Sequence, residues 1–119
     1  MPRTAIAPVS PQKGAQLGVV SAGDLDVTMN ATDVANGNSV SWASDRLLVI
    51  AWNSTAGATT ITFTSLADTN GRVGTITSYS LAADDHIVAI FARDGWQQTD
   101  AQLYIDASDA GIKVAILKL

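Results

Sequence analysis

The chain contains no cysteine, no glutamate and one histidine, His86. Each absence removes a class of chemistry. Without cysteine there is no thiol nucleophile, no disulfide framework and no soft metal ligand, and a lone histidine does not make a zinc site. All 11 acidic residues are aspartates. Helix-favouring glutamate is missing, while Asp, Ser, Thr and Asn compete for backbone hydrogen bonds inside helices. Charged residues make up only 15% of the chain, against a typical value of about 25%. No apolar run approaches the ~18 residues of a membrane-spanning helix.

What is present is a background of Thr, Ser, Ala, Val and Ile broken by Gly and Asn, a composition suited to β-strands joined by tight turns. A length of 119 residues predicts one domain with enough interior to stand without metals or disulfides. Low charge over a hydrophobic fraction of 47% suits either a surface destined for a partner or a monomer coated in Ser and Thr. The net charge of −4 and the scattering of the seven basic residues argue against a nucleic-acid partner, which calls for clustered Lys and Arg. Met1-Pro2-Arg3, followed by Pro8 and Pro11, lacks the apolar stretch of a secretory signal, so synthesis and residence in a cytoplasm are expected.

The three prolines fall within the first 11 residues, and no period of 2 or 3.6 is sustained over residues 1–23. Proline holds its own φ and biases its predecessor to extended geometry. This segment is therefore expected to be an extended N-terminal arm. Its apolar anchors are Ile6, Val9, Leu17, Val19 and Val20, docking on its own domain or on a neighbour, and its removal is expected to leave the fold intact. Residues 24–119 form the domain proper. Turn signals recur at Asn36-Gly37, Ala56-Gly57, Asn70-Gly71, Asp84-Asp85, Asp94-Gly95 and Ala110-Gly111. Between them the pattern predicts strands at Leu25–Met29, Ser39–Trp42, Arg46–Asn53, Thr59–Ser65, Gly74–Leu81, His86–Arg93, Gln102–Ala107 and Ile112–Leu119. A short helical turn fits 94–101. The expected fold is all-β, an antiparallel β-sandwich, jelly-roll-like if the connections are Greek keys.

Alternation assigns faces. In Thr59–Ser65, Ile61 and Phe63 oppose Thr60, Thr62 and Thr64, the mark of a half-buried strand. Arg46–Asn53 is apolar on both sides, with Leu48, Ile50 and Trp52 on one and Leu47, Val49 and Ala51 on the other. His86–Arg93 and Ile112–Leu119 behave alike. Such strands need a second cover, from the arm, a loop or another subunit.

Catalytic constellations fail one by one. A Ser or Thr nucleophile would need His86 as its base, and Asp84 and Asp85 beside it lie in a turn; no G-x-S-x-G elbow exists. Asp24 with Asp26, or Asp106 with Asp109, would have to serve as a glycosidase pair, yet aspartates near turns ordinarily bond their own backbone. Asp68-Thr69-Asn70-Gly71 begins like a calcium loop, but Arg72 and Tyr79 occupy ligand positions. No catalytic residue, metal ligand or cofactor site is expected. Among the aromatics, Trp52 shares a face with Leu48 and Ile50 and is expected in the core. Trp96 follows Asp94-Gly95 and precedes Gln97-Gln98. It is the candidate interface anchor, with closure of one end of the sandwich as its other reading.

Asp68-x-x-Gly71-Arg72-x-Gly74, Gly95-Trp96-x-Gln98-x-Asp100, Tyr104-x-Asp106-x-Ser108 and the terminal run from Val114 to Leu119 together resemble small all-β virion proteins of tailed bacteriophages, in the style of capsid decoration (cement) proteins. The resemblance covers residues 46–119 and rests on turns and strand ends. It implies a non-enzymatic structural role on the capsid surface of a virion, made in the bacterial host cytoplasm. The implied partners are the major capsid protein lattice and further copies of the chain, commonly as a trimer, with neither nucleic acid nor membrane as partner. A tail, neck or fibre-associated β-domain and a carbohydrate-binding module are the alternatives.

Overall fold

The computed structural model describes residues 2–10 and 27–119, and its strands follow the turn signals closely. They are β1 (Thr4–Ala5), β2 (Asn30–Ala31), β3 (Asn38–Ser41), β4 (Arg46–Asn53), β5 (Thr59–Thr64), β6 (Ile76–Leu81), β7 (His86–Ala92), β8 (Gln102–Ala107) and β9 (Ile112–Lys118). Two sheets result, one ordered β1-β3-β8-β5-β6 and the other β2-β9-β4-β7. All pairings are antiparallel except β1 with β3. This mostly-β, two-sheet arrangement is compatible with an all-β sandwich.

The sheets are held together by what alternation points inward. Val40, Ile61, Phe63, Leu103 and Ile105 come from the first sheet, and Leu47, Val49, Ala51, Phe91, Val114 and Ile116 from the second, all in one buried cluster. Full burial of side chains of this size stabilises by about 1.5–3 kcal/mol each. Phe63 and Phe91 meet across the layer with ring centroids 4.8 Å apart.

One buried polar residue organises an end of the layer. Asn53 closes β4 and is fully buried. Its amide donates to the carbonyls of Gly57, Leu81 and Ala82, and its Oδ1 accepts from the N–H and hydroxyl of Thr55. The loop after β4 and the turn after β6 are thereby tied to one side chain, with every polar atom of the amide satisfied.

Residues 2–10 are stitched to the domain. β1 lies parallel to β3, Ile6 is 5% exposed and belongs to the core cluster, and Val9 bridges to Leu117. The expectation that the fold survives loss of residues 1–23 is therefore revised: that loss strips a core side chain and an edge strand. Leu17, Val19 and Val20 lie outside the described residues, as do the first two residues of the expected strand Leu25–Met29. The strand in that region is Asn30–Ala31, later by several residues, and its carbonyl and amide partners are on β9. The helical turn expected over 94–101 contracts to Arg93–Trp96, because Gln97 is extended, and even within it Asp94 and Gly95 adopt non-helical angles, Gly95 with φ of 98°.

Candidate functional site

Asp24 and Asp26 lie outside the described residues, and His86, Asp84, Asp106 and Asp109 are occupied structurally. The His86 ring stacks on Trp52 (centroids 5.8 Å apart, planes 9° from parallel), and Asp84 accepts a 2.9 Å hydrogen bond from the Trp52 indole N–H. Asp106 holds Arg3 at 2.8 Å, and Asp109 accepts from the Gly111 N–H. Asp68 accepts from the N–H groups of Asn70 and Arg72 and from the Arg72 guanidinium. The Arg72 N–H is the leading cause holding its carboxyl below the ordinary aspartate range. This is a self-capped turn. Among the described residues no three His, Cys, Asp or Glu gather as a metal site, and no helix is long and apolar enough to cross a membrane.

The aromatics sort differently from their sequence reading. Trp42 is 8% exposed, although its indole N–H finds no partner. Trp96 is half-buried and packs edge-on against Phe91, centroids 4.7 Å apart, extending the Phe63–Phe91 stack toward the end of the layer. Trp52, expected in the core, sits on the outer face of the second sheet and is only half-buried. Alternation separated Leu48, Ile50 and Trp52 from Leu47, Val49 and Ala51 correctly, but both sets are apolar, so nothing in the strand told which set turns inward.

Arg3 is the residue that sequence reasoning passed over. Its guanidinium lies 4.0 Å from the Tyr104 ring centre, forms the two-pronged pair with Asp106 and donates to the Asn38 carbonyl. Gly37, in the Asn36-Gly37 turn, has φ of 74°, and a side chain there would collide with Arg3 and Asp106. The Tyr104 hydroxyl donates to Asp100 at 2.6 Å, which leads in holding the phenol above its ordinary pKa. Arg3, Asp100 and Tyr104 line a hollow of about 450 Å³ with Pro2, Ala5, Ser39, Ser41 and Gln102. One face of Tyr104 is thus covered by a cation.

The prominent open surface is apolar. On the outer face of the second sheet, Leu48 stands between Ile90 and Leu117, Ile50 between Val88 and Ala115, and Trp52 between His86 and Lys113. Exposure climbs across these rows. Ala115 and Leu117 on β9 are buried at 1% and 8%, the β4 side chains are half-buried, and Val88 and Ile90 on β7 are 67% and 57% exposed. Around the corner, the gap between β6 and β7 is an apolar cleft of about 220 Å³ lined by Phe63, Ile76, Tyr79, Ile87, Ala89 and Phe91. β7 therefore carries accessible hydrocarbon on both sides. Val88, Ile90 and the cleft were foreshadowed by the two-sided apolar pattern of β4, β7 and β9; that β7 is the strand left bare was not. Comparison of the chain with protein-family models, with curated proteins and with solved structures yields no match.

Proposed function

We propose that this protein is a non-enzymatic virion structural protein of a tailed bacteriophage, a capsid decoration protein that binds the outer shell and stabilises the head. The observation that carries the reading is the apolar outer face of the second sheet, where Val88 and Ile90 stand in water beside Leu48 and Ile50. An extended hydrocarbon surface of this kind marks an interaction site. Its flatness suits a protein lattice better than a small substrate, which favours a concave site.

The fold reading belongs to the same proposal. The pairs β2–β9, β3–β8, β4–β7 and β5–β6 are nested, first strand with last and inward to the centre. Adding β9–β4 and β8–β5 closes the nest into two four-stranded sheets, with β1 as an extra edge strand. That order supports the jelly-roll reading, an architecture frequent in viral capsid and lectin domains. The architecture alone leaves function open; the bare face narrows it. Ile6 is taken up by the core, so shell contact is assigned to the sheet face and to the rest of the arm. The resemblance further carries a trimeric assembly, whose many copies bind through avidity.

The test is co-sedimentation of the purified protein with capsids of its phage that lack it. Saturable binding at a copy number matching the shell lattice is the expected result. Binding of only a few copies per particle moves the protein to the neck, tail or vertices, and absence of binding by folded protein overturns the virion reading. Titration with oligosaccharides, read by the fluorescence of Trp42, Trp52 and Trp96 together, is expected to give no change; a saturable change would establish the carbohydrate-binding alternative.

A further inference from the structure

We propose that β7 is a self-association edge, where a second copy of this chain adds its own β7 antiparallel and extends the β2-β9-β4-β7 sheet across a two-fold axis at Ala89. The inference rests on edge geometry and is independent of the virion reading.

Each sheet has two ends, and edge strands attract further strands unless something discourages them. β1 and β2 are two residues long. β6 carries a register shift opposite Ile61–Phe63, and its Ser78 sits at φ of 48° with its N–H turned to the Thr62 hydroxyl. A bulge of that kind bends an edge away from further pairing. β7 has none of these devices. It runs seven residues in unbroken register with β4, and from Ile87 to Ala92 it contains no charge, proline or glycine. Half of its backbone N–H and C=O groups point out of the sheet edge, as in any terminal strand.

The strand is complementary to itself. Antiparallel pairing centred on Ala89 sets Val88 against Ile90 of the second copy on the outer face, and Ile87 against Phe91 of the second copy on the inner one. Cross-strand apolar pairs of this type stabilise a sheet. The strand's one ionisable group, His86, meets Ala92, so no like charges oppose each other. Leu48 and Ile50 of both copies then flank one continuous apolar stripe. The inner side chains of the incoming β7 lie along the open side of the cleft that Tyr79 and Phe91 line. A two-fold contact repeats the same patch on both copies, and it is a different interface from the one a trimer uses.

The absence of cysteine makes the axis directly testable. Directly opposed residues in an antiparallel pair have Cα atoms about 4.5–5.5 Å apart, within the span a disulfide bridges. Ala89→Cys in the full chain is expected to form a disulfide-linked dimer under mild oxidation, whereas Thr77→Cys on exposed β6 is not. Light scattering of the unmodified chain is expected to give an even multiple of the monomer mass, two copies for the two-fold contact alone and six where the proposed trimer also forms. The double variant Val88→Lys with Ile90→Lys, at positions already facing water, is expected to halve that mass while leaving the unfolding transition in place. A monomer at all accessible concentrations overturns the proposal. So does an oligomer whose mass survives both lysines, or equal cross-linking at positions 77 and 89.

Discussion

Thr60, Thr62 and Thr64 on β5, Ser39 and Ser41 on β3, and Gln102 and Asp106 on β8 coat the outer face of one sheet, whereas Leu48, Ile50, Val88 and Ile90 coat the other. The two sheets share one core, so the difference lies entirely in what each turns outward. A hydroxyl face exchanges hydrogen bonds with water at little cost. A hydrocarbon face keeps in solution the same unfavourable contact that folding removed elsewhere. The hydroxyl face is also the one with its fixtures built in: Arg3 lies over Tyr104 and is clasped by Asp106, and the Thr4 hydroxyl donates to Asp33 at 2.6 Å. On the bare face the comparable fixture is confined to one end, where His86 stacks on Trp52, while Val88 and Ile90 stand in water. One side of the molecule is finished within the chain, and the other is the side on which we propose association.

The largest effect should come from breaking what the two faces share. Phe63→Ala empties the centre of the stack and is expected to cost about 3–5 kcal/mol, read by denaturant unfolding; a loss confined to one sheet would mean that the sheets are separate units. Arg3→Ala should cost about 1 kcal/mol, as a partly exposed ion pair with added stacking does. Its signature would be faster amide hydrogen exchange at Thr4 and Ile6, whose N–H groups bond the carbonyls of Gly37 and Ser39. Converting the cross-strand pair Thr60 and Ser80 to valine together should stabilise by about 0.2–1 kcal/mol. It should also raise binding of a hydrophobic dye to the formerly hydroxyl face.

Acid should loosen the fixed face at Asp33. Hydrogen bonds led by that from Thr4 hold the Asp33 carboxyl below its ordinary range. A depressed folded-state pKa contributes stability above the unfolded value, and that contribution is lost as pH falls through the folded one. Exchange at Thr4 should therefore accelerate below the ordinary aspartate range, and Asp33→Asn should remove that pH dependence.

Much of this plan was legible from residues, and the parts that were not have identifiable reasons. Arg46–Asn53 and Gln102–Ala107 were bounded correctly by turn residues on both sides. β1 could not be seen, since two residues carry no period and Thr4-Ala5 resembles its surroundings. Nor could the Arg3–Asp106 pair, whose members stand 103 positions apart; charge complementarity at that separation has no local signature. Trp52 was misassigned because both faces of β4 are apolar and its bulk suggested burial. Trp96 was singled out as an interface anchor after the Asp94-Gly95 turn signal, and its packing on Phe91 carries no local signature, since the two residues lie on different elements. The open surface lay in the two-sided strands, but identifying it required knowing that β7 ends its sheet.

The nesting of the strands has a consequence in time. β5 and β6 meet across the short connection of residues 65–75, whereas β2 and β9 pair Asn30 with Val114, 84 positions away. β9 is the last of the nine strands to leave a ribosome, yet it lies between β2 and β4 in its sheet. The second sheet therefore cannot be completed until nearly all the chain has been made, and distant pairings of this kind form slowly. Through that interval β4 and β7 are already synthesised and apolar on both sides, and β4 lacks its neighbour β9. The period between translation of Ala92 and translation of Lys118 is when nascent chains of this protein are most open to pairing with one another out of register.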